Sequence, residues 1–360
     1  MKIKNIVGRV STLRRVQRRG ASERTYRAAP SLTAERSQLI DFLVEQELSS
    51  SKLFPYTAAA VWQLAEQLKK NFLCVVIKCD PSLLEVQHKI FNSVGLPVGN
   101  LRANAVLNTI KMVKEKYPTL CGTHLFIVSD QGPASVPVPV LVPARTTKHT
   151  RNINIPDYDL SCASGTVCQQ RSVFPRYEKL LFRGASTGSF FTRTSFHALP
   201  RIKFCLQHQN STAIDAKITS LVQCSALDYP HIFSYLRQQG VLSDSMSIAK
   251  QGKFKYLAVI DGNCGSWSRM RWILASKSVM FKHIDNNHSQ WYYPLLKPYE
   301  HYLPFTFANV TEQINYAQTK PELMKMITSA ANELCWVFKQ EAVLYYLFKV
   351  LNRLAALQQG

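Results

Sequence analysis

Between Lys255 and Lys282 the chain reads KYLAVIDGNCGSWSRMRWILASKSVMFK, and this stretch narrows the choice of fold more than any other. An apolar β-type run, Tyr256 to Ile260, ends on Asp261. A turn of small residues follows, Gly262 to Ser266, and then a helix-compatible segment, Ser268 to Ser276, carrying Arg269 and Arg271. A second apolar run spans Ser278 to Phe281. Strand, glycine turn, helix, strand is the unit that cradles a phosphate-bearing ligand at a helix N-terminus.

The flanking sequence repeats the alternation. Helical patterns are expected over Ala34–Leu48, Ala58–Lys70, Asn104–Lys116 and His231–Gln239. Strand patterns are expected over Phe72–Cys79, His124–Asp130, Val138–Val142, Lys179–Gly184 and Asp215–Thr219. After Phe305 the chain reads as helical to Leu357. Alternating β and α units in two halves imply an α/β protein of two facing doubly wound domains, with the ligand at the strands' carboxyl ends. The expected divisions are a basic tail over 1–30, a first Rossmann-like domain over 31–170, a second over 171–310, and C-terminal helices over 311–360. The polar stretch Arg145 to Gln170 is expected to cross between the domains.

Charge bears on partners. Lys and Arg number 44 against 23 Asp and Glu, a net charge of +21. The tail contributes Lys2, Lys4, Arg9, Arg14, Arg15, Arg18, Arg19, Arg24 and Arg27 against Glu23, with Val7, Val10, Leu13 and Val16 three residues apart. Two readings stay open: a basic amphipathic helix on an anionic membrane, or a frayed tail. A nucleic-acid-binding role would need basic clusters interleaved with aromatics beyond the tail, or a known motif, and the sequence offers neither. No run approaches the ~20 apolar residues that span a bilayer. Nine cysteines at irregular spacing suit reduced thiols of a cytoplasmic protein better than a disulfide framework.

Two loops carry the candidate chemistry. Arg183 ends a strand and precedes Gly184, Ser186 and Thr187; Gly262 to Ser268 leads into Arg269. Each is an ordinary turn if it stands alone. Together, facing one cleft, they hold a diphosphate by arginine forks, hydroxyls and open amides. Asp130, at a strand end, is the candidate general base, with Asp157, Asp159, Asp215, Asp261 and Asp285 as competitors. Asp261 beside a phosphate loop reads as structural. No HExxH, clustered Cys/His or GxSxG pattern points to a zinc site or a serine nucleophile.

Phe182-Arg-Gly184, Ile214-Asp-Ala-Lys-Ile-Thr219, Lys255-Tyr256 leading into Gly262–Arg269, and Trp291-Tyr-Tyr-Pro-Leu-Leu-Lys-Pro-Tyr-Glu-His-Tyr-Leu-Pro304 resemble successive blocks of glycosyltransferase family 90. The resemblance covers roughly residues 120–310. It implies a GT-B architecture, with 31–170 as the acceptor-side domain and 171–310 as the UDP-sugar-binding one, and an inverting, metal-independent transfer of a hexose or pentose from a UDP-sugar. Asp130 would be the base, without the arginine before it and tyrosine after it that the family pattern carries. Arg183, Gly184, Thr187, Arg193, Gly262, Ser266, Ser268 and Arg269 would bind the donor. No cofactor beyond the donor substrate is implied. The chain is similar to the short bacterial members, whose acceptor is a lipopolysaccharide core or related glycolipid, so the enzyme is expected at the cytoplasmic membrane face. A family member that binds the nucleotide sugar without turnover is the remaining alternative.

Overall fold

The computed structural model describes residues 32–359 apart from 52, 92–96, 131, 147–150, 158–173 and 285–287. The basic tail, Asp159, Asp285, and the 170/171 division therefore lie outside the described residues. Residues Thr33–Gly360 form one compact unit, and it is built on two five-stranded sheets.

The first half runs helix Ala34–Ser49, β1 (Tyr56–Thr57), helix Ala58–Leu68, β2 (Cys74–Cys79), β3 (Val86–Phe91), helix Pro97–Lys116, β4 (Gly122–Ile127), β5 (Val140–Val142), β6 (Arg145–Thr146) and β7 (Asn152–Asn154). Thr33 and Thr57 begin the first two helices as N-caps, their hydroxyls accepting from the amides of Arg36 and Ala60. The sheet order is β3-β2-β4-β5-β7. It departs from the expected doubly wound form: β2 is antiparallel to both its neighbours, while β4, β5 and β7 are parallel. The short link from Cys79 to Val86 explains this, because a parallel neighbour requires a crossover of a dozen or more residues. The long helix Pro97–Lys116 then carries the chain past β2 to β4.

The second half runs β8 (Tyr177–Ala185), helix Pro200–Gln207, β9 (Ile214–Ser220), helix Tyr229–Gln238, β10 (Phe254–Val259), helix Trp267–Leu274, β11 (Val279–His283), β12 (His288–Ser289) and β13 (Leu303–Phe305). This sheet is parallel throughout, in the order β13-β11-β10-β8-β9. The chain leaves β8 toward β9 and returns on the opposite side as β10. The crevice beyond the carboxyl ends of β8 and β10 is thus the topological switch point. The core beneath it is aromatic and aliphatic, with Phe182, Phe204, Ile218, Ala258, Phe281 and Phe305 buried together.

The C-terminal helices divide between the halves. Val310–Thr319 and Pro321–Leu334 pack on the second sheet, whereas Gln340–Ala355 packs on helix Ala34–Ser49 and β4 of the first. The chain then ends in β14 (Gln358–Gln359), paired in parallel with β1. Gly122 marks how close this approach is: its φ is +97°, and a Cβ there would lie 2.7 Å from the Ala355 Cβ. No described helix is long and apolar enough to cross a membrane. Seven cysteines are described and all are free thiols.

Candidate functional site

The strand order explains why the two loops meet. Arg183 and Gly184 come off the end of β8, and Gly262 to Ser266 follow β10, its neighbour across the switch point. A cavity of about 350 Å³ lies there, lined by Arg183, Gly184, Thr187, Gly262 to Arg269 and, from outside those loops, Arg102, Asp130 and Arg201. Seven of the sequence-derived candidates, together with Asp130, therefore share one wall system. Arg193 does not join them. It is exposed, and its amide donates to Asp228 Oδ2 at 3.1 Å.

The arginine that sequence reasoning missed is Arg201, at the second position of helix Pro200–Gln207. Its Nε donates to the Ile260 carbonyl at 3.1 Å, and its Nη1 donates to the Ala185 carbonyl at 3.1 Å and Thr187 Oγ1 at 2.6 Å. One side chain thereby braces the ends of both β8 and β10. Nothing in the local pattern singles it out; only the return of the helix to the strand ends brings it in. Burial lowers its pKa, and the neighbouring Asp261 carboxylate partly offsets that. Asp261, buried below the turn, is thus structural, as its sequence context indicates.

Arg183 and Arg269 are held as rigidly. Arg183 forks onto Asp215, its Nη2 lying 2.8 and 2.7 Å from the two carboxylate oxygens, while Nη1 donates to the carbonyls of Phe182 and Asp215. Arg269 donates from Nε to the Ala258 carbonyl at 2.9 Å and from Nη1 to the Arg183 carbonyl at 3.1 Å and Gln251 Oε1 at 2.8 Å. Its guanidinium lies against the rings of Phe182 and Trp272, and its Nη2 is out of reach of solvent with no hydrogen-bond partner. Burial, reinforced by the charges of Arg201 and Arg183, pushes its pKa down to about 9. Three guanidinium groups at one strand-end cavity repel one another, and an anion placed there relieves that repulsion. Arg271, by contrast, points away and pairs with buried Asp157, which removes both from the candidate list.

The glycine turn has to be built of glycine. A Cβ on Gly262 would stand 2.5 Å from Thr187 Oγ1 and 3.0 Å from Arg201. Gly265 has φ +98°, and a Cβ there would lie 2.4 Å from Gln290. Ser266 starts the helix Trp267–Leu274 without capping it, because its hydroxyl donates back to the Ile260 carbonyl at 3.1 Å. The first-turn amides of this helix are thus not capped by its side chain, in the position where helix ends favour anions.

Asp130, three residues beyond β4, reaches the same cavity from the first sheet. Arg102 Nη1 donates to its Oδ1 at 3.0 Å, and Asn263 Nδ2 donates to its Oδ2 at 3.0 Å. Its side chain is 35% exposed. Asn263 is the junction: its Oδ1 accepts from the Gly188 amide at 3.0 Å, and its carbonyl meets His288 Nε2 at 3.2 Å. Arg102 in turn stands 5.2 Å over the Trp267 ring. The arrangement thus places a carboxylate across a small cavity from an arginine cluster, which is the layout for removing a proton opposite a departing anion.

Protein O-glucosyltransferase 2 of Danio rerio is 27% identical over 221 residues, which are 58% of this chain and 41% of that protein. The chain spans about two fifths of that relative's length. Among solved structures, a TarM variant from S. aureus, determined with fondaparinux, α-GlcNAc-glycerol and UDP, is 12% identical with a TM-score of 0.36, over 52% of this chain and 38% of that one. The C-terminal domain of the group 1 glycosyl transferase LpcC from Francisella tularensis is 9% identical with a TM-score of 0.30, over 48% and 90%. At these TM-scores the likeness is too weak to argue from. The profile of Glycosyl transferase family 90 matches residues 128–360, a span that begins at the strand end bearing Asp130 and takes in the whole second sheet, and the chain belongs to that family.

Proposed function

We propose that the protein is an inverting, metal-independent glycosyltransferase that moves a sugar from a UDP-sugar to a hydroxyl of a glycolipid or oligosaccharide acceptor. One observation carries this reading: the Asp130 carboxylate opens onto the same cavity as Arg183, Arg201 and Arg269. Asp130 takes the proton from the acceptor hydroxyl. The resulting oxygen attacks the anomeric carbon from the face opposite the diphosphate, and the carbon–oxygen bond to UDP breaks in the same displacement. Negative charge grows on the leaving diphosphate, where the three guanidinium groups, the Thr187 hydroxyl and backbone amides of the glycine turn stabilise it. The arginine cluster supplies the positive charge that a divalent cation supplies in other sites, which supports the metal-independent reading. Asn263 and Arg102 position the base.

A panel of UDP-sugars assayed for UDP release identifies the donor. Asp130→Asn then retains UDP binding and loses transfer by about 10²–10⁴-fold, the usual worth of a general base. Unimpaired transfer by that variant places the base elsewhere, and a wild-type protein that binds UDP without turnover establishes the inactive alternative. The basic tail is proposed to hold the enzyme against anionic lipid at the cytoplasmic membrane face.

A further inference from the structure

A second cavity, of about 500 Å³, lies beside β11 and β13, with Lys282 and Pro304 contributed from within those strands, and is larger than the switch-point cavity. Its walls include Lys282, His288, Tyr293, Tyr299 and Tyr302, closed by aliphatic and proline side chains. We infer that this cavity is a pyranoside-binding subsite that seats the acceptor sugar. The inference rests on the glycosyl-transfer reading above.

Three features of the cavity favour a neutral sugar. Lys282 is the single Lys or Arg among its lining residues, so it lacks the cationic field of the arginine cavity and does not suit a diphosphate. Tyrosine rings offer apolar faces to the C–H side of a pyranose while the hydroxyls of Tyr299 and Tyr302, with Lys282, meet its polar edge. Its volume lies within the ~300–1,000 Å³ typical of small-molecule sites. The Lys282 Nζ stands 5.0 Å from the centroid of the Tyr293 ring, so the charged and aromatic walls adjoin.

The tyrosines are also set in place by backbone geometry. Tyr299 has φ +60°, a conformation that a bulky side chain adopts only where its surroundings enforce it. The Tyr299 amide donates to the Tyr302 carbonyl at 2.8 Å, and Pro298 and Tyr302 form a bridge across the turn. Left-handed strain of this kind concentrates at ligand clamps. Here it holds two ring-bearing residues on one wall.

The cavity adjoins the proposed chemistry through a single shared wall. His288 lines the larger cavity and contacts the Asn263 carbonyl, while the Asn263 side chain contacts Asp130 and lines the smaller one. A sugar seated against His288 therefore has an edge toward the residue that holds the base.

The test is saturation-transfer NMR with the methyl glycosides of glucose, galactose, mannose and xylose, run on the protein with and without saturating UDP. At least one glycoside is expected to give an enhancement that UDP does not displace. That signal should fall about fivefold in Tyr299→Ala/Tyr302→Ala, in keeping with ~0.5–1.5 kcal/mol per aromatic contact, while UDP affinity stays within about twofold. No enhancement from any glycoside, displacement by UDP, or full retention of the signal in the variant overturns the subsite. If the double variant loses its melting transition, the single Tyr299→Ala change, at an exposed rim position, is read by the same criteria. Failure of wild-type protein to bind UDP sinks the donor reading instead, and the glycoside signal in the UDP-free arm still reports on the cavity.

Discussion

Arg201 and Arg193 show how little a single residue's neighbours in sequence reveal about its work. Both follow the Arg183-Gly184 block, and the family resemblance points to Arg193, at a slightly different spacing. The fold selects Arg201, because the second residue of the helix after β8 returns to the strand ends while the loop before that helix stays on the surface. Arg193→Ala is therefore expected to leave UDP affinity unchanged. Arg201→Lys keeps the charge but loses the fork that joins Ile260, Ala185 and Thr187, and UDP affinity should drop about tenfold, as for the ~1.5–3 kcal/mol of a charge-assisted hydrogen bond. Isothermal titration with UDP measures both. Arg183, Gly184, Thr187, Gly262 and Arg269 were legible because glycine next to a strand-end arginine is a local signal. Asn263 was not: an asparagine in a glycine turn looks like a turn residue, and its link to Asp130 spans 133 positions.

At the scale of the element, β2, β4 and β10 were legible because they are buried apolar runs. β3 and β7 were hidden for opposite reasons. β3 is an edge strand whose middle residues are exposed, so it lacks apolar alternation. β7 is fully buried but reads Asn-Ile-Asn. Its amide donors are satisfied internally: Asn154 donates from its backbone and side chain to the Glu47 carboxylate at 2.7 and 3.1 Å, and Asn152 donates to the Pro133 carbonyl at 3.0 Å. The stretch that looked like a crossing segment thus contains the terminal strand of the first sheet, paired with β5. β4 also carries a pH dependence. His124 is buried, and burial holds its pKa down to about 4. Between that value and the ordinary 6.5 the unfolded chain binds a proton that the folded one refuses, so stability rises with pH through this window and is fully present above it. Acidifying from pH 7 to pH 4 should cost about 3 kcal/mol through this group. Chemical denaturation at the two pH values, with His124→Gln as the variant that flattens the difference, measures it.

For the molecule as a whole, the sequence made the α/β class and four of the five strands of the second, parallel sheet readable; β13, three residues long, was not among the expected strands. How the halves are fastened could not be read. Arg271 and Asp157, 1% and 3% exposed, join the helix after the glycine turn to the segment after β7. Removing one member of a buried pair typically costs ~3–5 kcal/mol, so Asp157→Ala should shift the urea midpoint by that equivalent. The tail belongs to this scale too. Deleting residues 1–27 should weaken binding to anionic liposomes far more than turnover on a soluble acceptor, and equal losses would refute the tether.

The last helix has a consequence for how the protein is made. Tyr346 donates to the Asn154 carbonyl at 2.9 Å, Tyr56 to the Leu354 carbonyl at 3.1 Å, and Gln358 bonds the Thr123 backbone. The contacts span 192, 298 and 235 positions, so the strands they complete leave the ribosome about two hundred residues or more before the segment that covers them. At ~5–20 residues per second that is a delay of roughly 10 to 40 s. During that interval the first sheet waits with an apolar flank uncovered, and a truncated gene encoding the first half alone should yield inclusion bodies.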